Sequence, residues 1–428
     1  MQVHGGSGFW SRVCSHPPGN CTGVNCTQAV VGLNVTFFQR EDAFYAAAEE
    51  TGLVLVVGRL VGDLLARSPH AHRVLPKLFA YMTARWGAFP VTFLFTQEYN
   101  VLYYGPTNVS LLMEQGEVVR DADPWKRALT MHPAVLWKDT RDAWTRPWYD
   151  FVMIQEGHLV STSGSTLRAV RDAAEGMPCV NGEANYEGFR RQHKKPSTNP
   201  TTTTTTTTNA IATITNNITT KNATSALNCS AQVNAACVRD SAWITMQSGF
   251  AGFTYGAQGL YACVQNASEP GPTGRHGPVL TWEEGLGLPG GAQLQYLQRF
   301  FTQVVRDWWQ FTPWPPFSNR VFVTHAPMST AFVLYSRPWR EPCGQKQEAL
   351  VNLNVSTITT KKWGAMWFDP RTGDINGTFS LTTNSTGILS VPPREGTSCM
   401  LDWVVLIQPA SVVLDKGEDA SIKAPDAL

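Results

Sequence analysis

The sequence predicts an α/β fold of βα units around a parallel sheet, followed by a small antiparallel β-sandwich. Two observations carry this. Up to about residue 310, segments with helical apolar spacing alternate with short, continuous apolar runs of buried-strand type. From Arg320 onward the pattern changes to short alternating runs, among them RVFVTHAP, TAFVLYSR, KKWGAMWFDPRTGD and LDWVVLIQP. A domain boundary near residue 318 follows, and 428 residues suit two or three domains.

In order, EDAFYAAAEETG (41–52) reads as a helix closed by Gly52, and LVLVVGRLVG (53–62) as a buried strand. HRVLPKLFAYMTARWG places Leu75, Leu78, Phe79, Met82 and Trp86 at helical spacing, and VTFLFTQEY (91–99) is a second strand. The alternation continues through RALTMHPAVLW (127–137), WYDFVMIQEGH (148–158), the helix STLRAVRDAAEG (165–176) and PCVNGEANYEGF (178–189). It then stops at a Thr-rich, sequon-bearing stretch, 196–227, which reads as a disordered surface insertion. Order returns with DSAWITMQSGFAGFTYGAQGLYAC (240–263), a helix running into a Gly-rich strand. GAQLQYLQRFFTQVVRDWW (291–309) follows, with Leu294, Leu297, Phe301, Val304 and Trp308 on one helical stripe. Residues 1–36 form a Cys-rich N-terminal segment, and 413–428 a tail.

Composition narrows the function. Lys and Arg number 34 against 33 Asp and Glu, a net charge of +1 with no basic stripe, which excludes a nucleic-acid footprint. Of the fifteen Trp many stand near element ends, where indole faces suit sugar stacking, although a core role is the expectation for most of them; Trp308 and Trp309 are assigned to packing. Eleven N-x-S/T sequons, at Asn20, Asn25, Asn34, Asn108, Asn217, Asn222, Asn228, Asn266, Asn354, Asn376 and Asn384, point to an extracellular or secretory-pathway glycoprotein. Nine Cys without a C-x-x-C pair point to disulfides rather than a metal centre. The opening MQVHGGSGFW lacks the pattern of a signal peptide, so a truncated N-terminus is expected, and no 18-residue apolar run suggests a membrane span.

Chemistry concentrates at strand ends. Glu98 and Glu183 both follow apolar runs, and a glycosidase needs two carboxyl groups, one to protonate the leaving oxygen and one to attack or activate water. Either alone is more often a loop ion-pair partner. Glu187 and Glu156 compete for the role, with Glu187 ranked second as an orienting group. His132 and His158 are candidates for binding sugar hydroxyls or tuning a carboxylate, weighed equally against structural roles. Tyr186, Tyr255 and Gln258 offer a phenol or an amide at the pocket mouth. GLGLPG (285–290) is rejected as a phosphate loop because it follows no strand and Pro289 removes an amide; HAH (70–72) has no third metal ligand nearby.

The ordered segments FLFTQEYN (93–100), DFVMIQEGH (150–158), CVNGEANYEG (179–188), GFAGFTYGAQGLY (249–261) and MWFDPRTGDI (366–375) resemble the apiosidase-like family of glycoside hydrolases. The resemblance implies a (β/α)8 TIM-type barrel over 37–317 and a collagen-binding-like β-sandwich over 318–412. It further implies a retaining glycosidase acting on a plant-type or other complex glycan, with no metal or organic cofactor. Glu98 becomes the acid/base and Glu183 the nucleophile. Gln97 stands where the family usually has Gly, and would shape the pocket or bind the sugar. The family's first two strands should precede FFQREDAF, so a barrel lacking its first strands is also expected. The alternative function is a catalytically degenerate carbohydrate- or matrix-binding glycoprotein whose sandwich contacts the extracellular matrix.

Overall fold

The computed structural model describes residues 2–4, 35–58, 71–100, 106–134, 140–191, 227–261, 264–266, 280–305, 307–315, 318, 320–338, 349–394 and 401–411. The chain divides into two compact units, one of 1–157 with 170–182, the other of 158–169 with 183–428. The predicted Thr-rich insertion lies outside the described residues, as do most of the N-terminal segment and the tail.

The first unit is the α/β part. Its strands are β1 (Gln2–His4), β2 (Leu55–Gly58), β3 (Val91–Gln97) and β4 (Leu129–His132), in the order β1-β2-β3-β4 with parallel pairing throughout. Next come β5 (Val152–Gln155) and most of β6 (Cys179–Glu183), which are neighbours. β4 and β5 are tied by the Asp150 carboxylate, which accepts the Leu129 N–H at 2.7 Å, and by Thr130 Oγ1, which donates to the Phe151 carbonyl at 2.6 Å. Helices α1 (Val35–Glu50), α2 (Ala71–Trp86) and α3 (Pro106–Ala122) alternate with these strands, then the short α4 (Arg141–Trp144); α5 (Gly164–Ala173) is divided between the two units at residue 170. The predicted alternation of helices and strands is present; crossover helices cover the faces of a parallel sheet, so its strands are buried on both sides and read as unbroken apolar runs.

Helix α1 buries Phe38, Tyr45 and Ala48. Tyr45 stacks on Trp86 of α2 with ring centroids 4.4 Å apart, and Asp42 accepts from Trp86 Nε1 at 2.9 Å. The helix ends as predicted: Gly52 adopts φ +71°, its N–H bonds the Glu49 carbonyl and the Leu53 N–H bonds the Ala48 carbonyl, both at 2.9 Å. That left-handed residue is where glycine escapes the Cβ penalty.

The second unit contains the antiparallel region. Helix α6 (Ala235–Gln247) is followed by β7 (Gly252–Phe253), α7 (Trp282–Leu286) and α8 (Pro289–Arg299). The main sheet has the order β13-β12-β15-β10-β9-β8, from β8 (Thr312–Pro313), β9 (Val321–His325), β10 (Phe332–Ser336), β12 (Lys362–Phe368), β13 (Ile375–Thr382) and β15 (Trp403–Pro409). A two-stranded sheet pairs β11 (Val351–Asn354) with β14 (Ile388–Val391). Leu353, Leu389 and Val391 of the small sheet share a core with Val323, Phe332, Leu334, Trp363, Val405 and Ile407 of the large one. The other face of the large sheet carries Tyr335 and Phe368, which pack on Trp243 of α6 and on Phe300. Both faces are covered, so the alternation expected of a half-solvated sheet is muted in VFVT and WVVLI.

Helix α6 is enclosed along most of its length, and its charges are paired. Arg239 donates from Nε and Nη2 to the two carboxylate oxygens of Asp402, both at 2.9 Å. Asp240 pairs with Arg337 and accepts from the Tyr335 hydroxyl at 3.1 Å. The single helical stripe predicted over 291–309 is corrected. Regular helix stops at Arg299, a π-turn spans Phe300–Val304, and Asp307 turns left-handed with φ +53°. Phe300 and Phe301 are consecutive and both buried, so the wider turn brings two adjacent rings to one core that a regular helix would split.

Candidate active site

Strand β3 ends in an irregularity. Its register with β4 shifts between Leu94 and Gln97, after which Glu98 takes φ +49° and its N–H bonds the His132 carbonyl at 2.6 Å. A non-glycine residue in the left-handed region is strained, and a bulge of this kind re-aims the side chain that follows. Glu98 is half-buried, and Gln155 Nε2 approaches its carboxylate at 3.5 Å. His132 is fully enclosed, so its carbonyl anchors Glu98 while its ring lies in the interior. Glu156 accepts from Asn181 Nδ2 at 2.8 Å. The side chain of Gln97 lies outside the described residues.

Glu183, at the C-terminal end of β6, keeps a side chain 8% exposed, and Oε1 stands 2.8 Å from Nε2 of His158, itself 20% exposed. The His158 ring sits 4.4 Å from that of Tyr186 and 5.0 Å from that of Phe189. Tyr261 lies against both of these rings, with its centroid 5.6 Å from that of Tyr186 and 5.5 Å from that of Phe189. Glu183, His158 and an aromatic wall thus stand together in the second unit.

Two of the candidates, Tyr255 and Glu187, bond to one another. Tyr255 donates its hydroxyl to Oε2 of Glu187 at 2.7 Å, and the Gly290 N–H bonds the same carboxylate at 2.9 and 3.1 Å. Gly290 follows Pro289 at the start of α8, so Glu187 supplies the anion that this helix N-terminus favours. A Cβ on Gly290 would stand 2.4 Å from Glu187 Oε2, and only glycine admits that approach. The GLGLPG segment does present an amide to an oxyanion, one belonging to its own chain. Gln258 is buried, with its N–H on the Glu187 carbonyl at 2.8 Å.

Burial pushes the Glu187 carboxyl above its ordinary value, outweighing the Tyr255 and Gly290 donors that favour its charge. A raised carboxyl binds its proton more tightly in the folded state, so its contribution to stability is present at acid pH and lost as pH rises through the folded pKa. Glu187→Gln, which removes this titration, is expected to flatten the loss. Urea midpoints followed from pH 4.5 upward should fall in wild type relative to the variant.

The chain leaves the described region after Arg191 and returns at Leu227, and the two sides of this gap are bonded to one another. The Arg191 N–H meets the Ala231 carbonyl at 2.8 Å, the Gly188 N–H that of Val233 at 3.0 Å, and the Val233 N–H that of Phe189 at 2.9 Å. The disulfide Cys229–Cys237 packs with Phe189, Val233 and Val238, against Tyr186 and Leu159. Among the described residues Cys179 is a free, buried thiol, raised to about 12 by burial, and no group of three or more His, Cys, Asp or Glu could hold a metal ion. Trp309 is 66% exposed, a correction to its assignment to packing; it lies just beyond Asp307, where the backbone turns left-handed and regular helix has already ended. Among the described residues no helix is long and apolar enough to cross a membrane.

These two units carry the fold of glycoside hydrolases. Among solved structures the chain is similar to a protein described as a glycoside hydrolase, at 16% identity and TM-score 0.61, covering 92% of this chain and 81% of that one. It is likewise similar to a glycoside hydrolase family 5 protein from Bacteroides vulgatus, at 16% identity and TM-score 0.62, covering 93% and 78%. The model of the apiosidase-like catalytic domain matches residues 13–310, and the chain belongs to that family. The match ends just before β8, where the antiparallel sheet begins. A comparison with curated proteins returns no match.

Proposed function

We propose that this protein hydrolyses a glycosidic bond in a plant-type or other complex glycan by retaining double displacement in a (β/α)8 barrel. The observation that carries the reading is the strand-end carboxylate of Glu183, nearly enclosed and in hydrogen-bond contact with His158 at 2.8 Å. One oxygen of Glu183 attacks the anomeric carbon as the bond to the leaving oxygen breaks, and Glu98 delivers its proton to that oxygen. Water then attacks the glycosyl-enzyme, its proton passes to Glu98, and the Glu183 carboxylate is regenerated. Retention requires the two carboxyl groups about 5 to 5.5 Å apart. With His158 on Oε1, Oε2 is the attacking atom. Tyr186 offers its ring to a sugar face, and no cofactor is called for.

The test is a hydrolysis screen of plant-type and animal glycans, apiose-containing ones included, read by released sugar. Turnover on one class supports the reading. Binding to glycans or collagen without turnover favours the degenerate binding protein instead. The secretory setting is part of the proposal: Asn228, Asn266, Asn354, Asn376 and Asn384 are all exposed sequons. Protein recovered from a eukaryotic secretory pathway is expected to lose mass on enzymatic removal of N-glycans; an unchanged mass would contradict that setting.

A further inference from the structure

We infer that Asn185 is a positioning residue that acts on Glu183 through His158. This rests on the glycosidase reading only for its kinetic consequence. The Asn185 side chain is buried and pairs with both backbone groups of Val160: Oδ1 accepts the Val160 N–H at 3.1 Å and Nδ2 donates to the Val160 carbonyl at 2.5 Å. An amide satisfied at both ends in this way acts as a one-residue strand partner, and it fixes Val160 against the segment that carries Glu183.

Between Val160 and His158 stands Leu159, whose φ of +57° is uncommon for a branched side chain and persists only when its surroundings hold it. Leu159 packs on the core of Phe189, Val233 and the Cys229–Cys237 disulfide. His158 is therefore held from two directions, by the Asn185 bonds beyond Leu159 and by the rings of Tyr186 and Phe189 beside it. What those restraints fix is the 2.8 Å contact between His158 Nε2 and Glu183 Oε1. Releasing Asn185 frees the turn at Leu159 to relax, and the imidazole to leave the carboxylate.

Two readouts test this. In protein labelled with 15N-histidine, the proton on His158 Nε2 is expected as an exchange-protected resonance in wild type, and to be lost or shifted in Asn185→Ala. In hydrolysis, Asn185→Ala and His158→Ala are each expected to lower kcat/KM by about tenfold to a hundredfold, the scale of a small misplacement at a reacting centre. The double variant should lie close to either single one, because both act on one contact. Effects that multiply, or an unchanged His158 resonance in a destabilised Asn185→Ala, would overturn the assignment. If Asn185→Ala does not fold, Asn185→Asp keeps the acceptor for Val160 N–H, loses the donor to its carbonyl, and is judged by the same two readouts. Should no glycan be hydrolysed at all, the glycosidase reading fails while the resonance still decides the role of Asn185.

Discussion

Glu183→Gln is expected to lower kcat/KM for glycoside hydrolysis on the order of 10⁴-fold or more, the scale on which removal of a covalent nucleophile acts. The amide keeps the size of the side chain and an oxygen for His158, so folding and glycan binding should survive while attack does not. Glu98→Ala is expected to behave differently. Its loss should be severe for a sugar leaving group, which needs a proton, and small for a nitrophenol, which does not. Added azide should then restore turnover by attacking the glycosyl-enzyme without a general base, giving a glycosyl azide of retained configuration. Equal losses for both leaving groups, or no effect of azide, would remove Glu98 from the acid/base role.

The second large effect is on stability. Arg239 and Asp402 form a bidentate pair, with side chains 8% and 1% exposed, linking helix α6 to the strand that begins at Trp403. Asp402→Ala leaves a buried guanidinium without its carboxylate, a change that costs about 3 to 5 kcal/mol. The double variant Arg239→Met with Asp402→Leu should cost much less, because it removes both charges and fills the space with apolar atoms. Urea unfolding of the three proteins decides: a single variant within about 1 kcal/mol of wild type would show that water reaches the pair.

Much of the fold was written locally. The closure of α1 at Gly52 and the buried runs of β2 and β3 are contacts within a few residues or a repeating pattern: the helix closes at that glycine, and β2 (Leu55–Gly58) and β3 (Val91–Gln97) fall within the predicted runs 53–62 and 91–99. The strand-end positions of Glu98 and Glu183 were legible for the same reason. Long-range partners were not. The Glu187 carboxylate serves the N–H of Gly290, 103 residues away, and Asn185 serves Val160, 25 residues away; an Asn or Glu in a polar strand-end segment carries no local sign of such employment. The π-turn at Phe300 was hidden because FFTQV continues an acceptable helical pattern, and only the demand of the Trp243 core for two adjacent rings breaks it. The signal for Asn185 that sequence does hold is its place in NGEANYEG, between the candidate nucleophile and Tyr186.

Double displacement requires that Glu183 form a covalent bond to the sugar. Once the screen has identified a substrate, its 2-deoxy-2-fluoro analogue with a good leaving group should form the glycosyl-enzyme faster than it is hydrolysed, since the fluorine slows both steps and the leaving group restores only the first. Peptide mass mapping of the trapped protein is then the direct measurement. One added fluorosugar is expected on the peptide containing PCVNGEANYEGF, at Glu183 and absent from Glu183→Gln. A label on Glu187 or Glu156, or steady turnover with inverted configuration and no label, would contradict it.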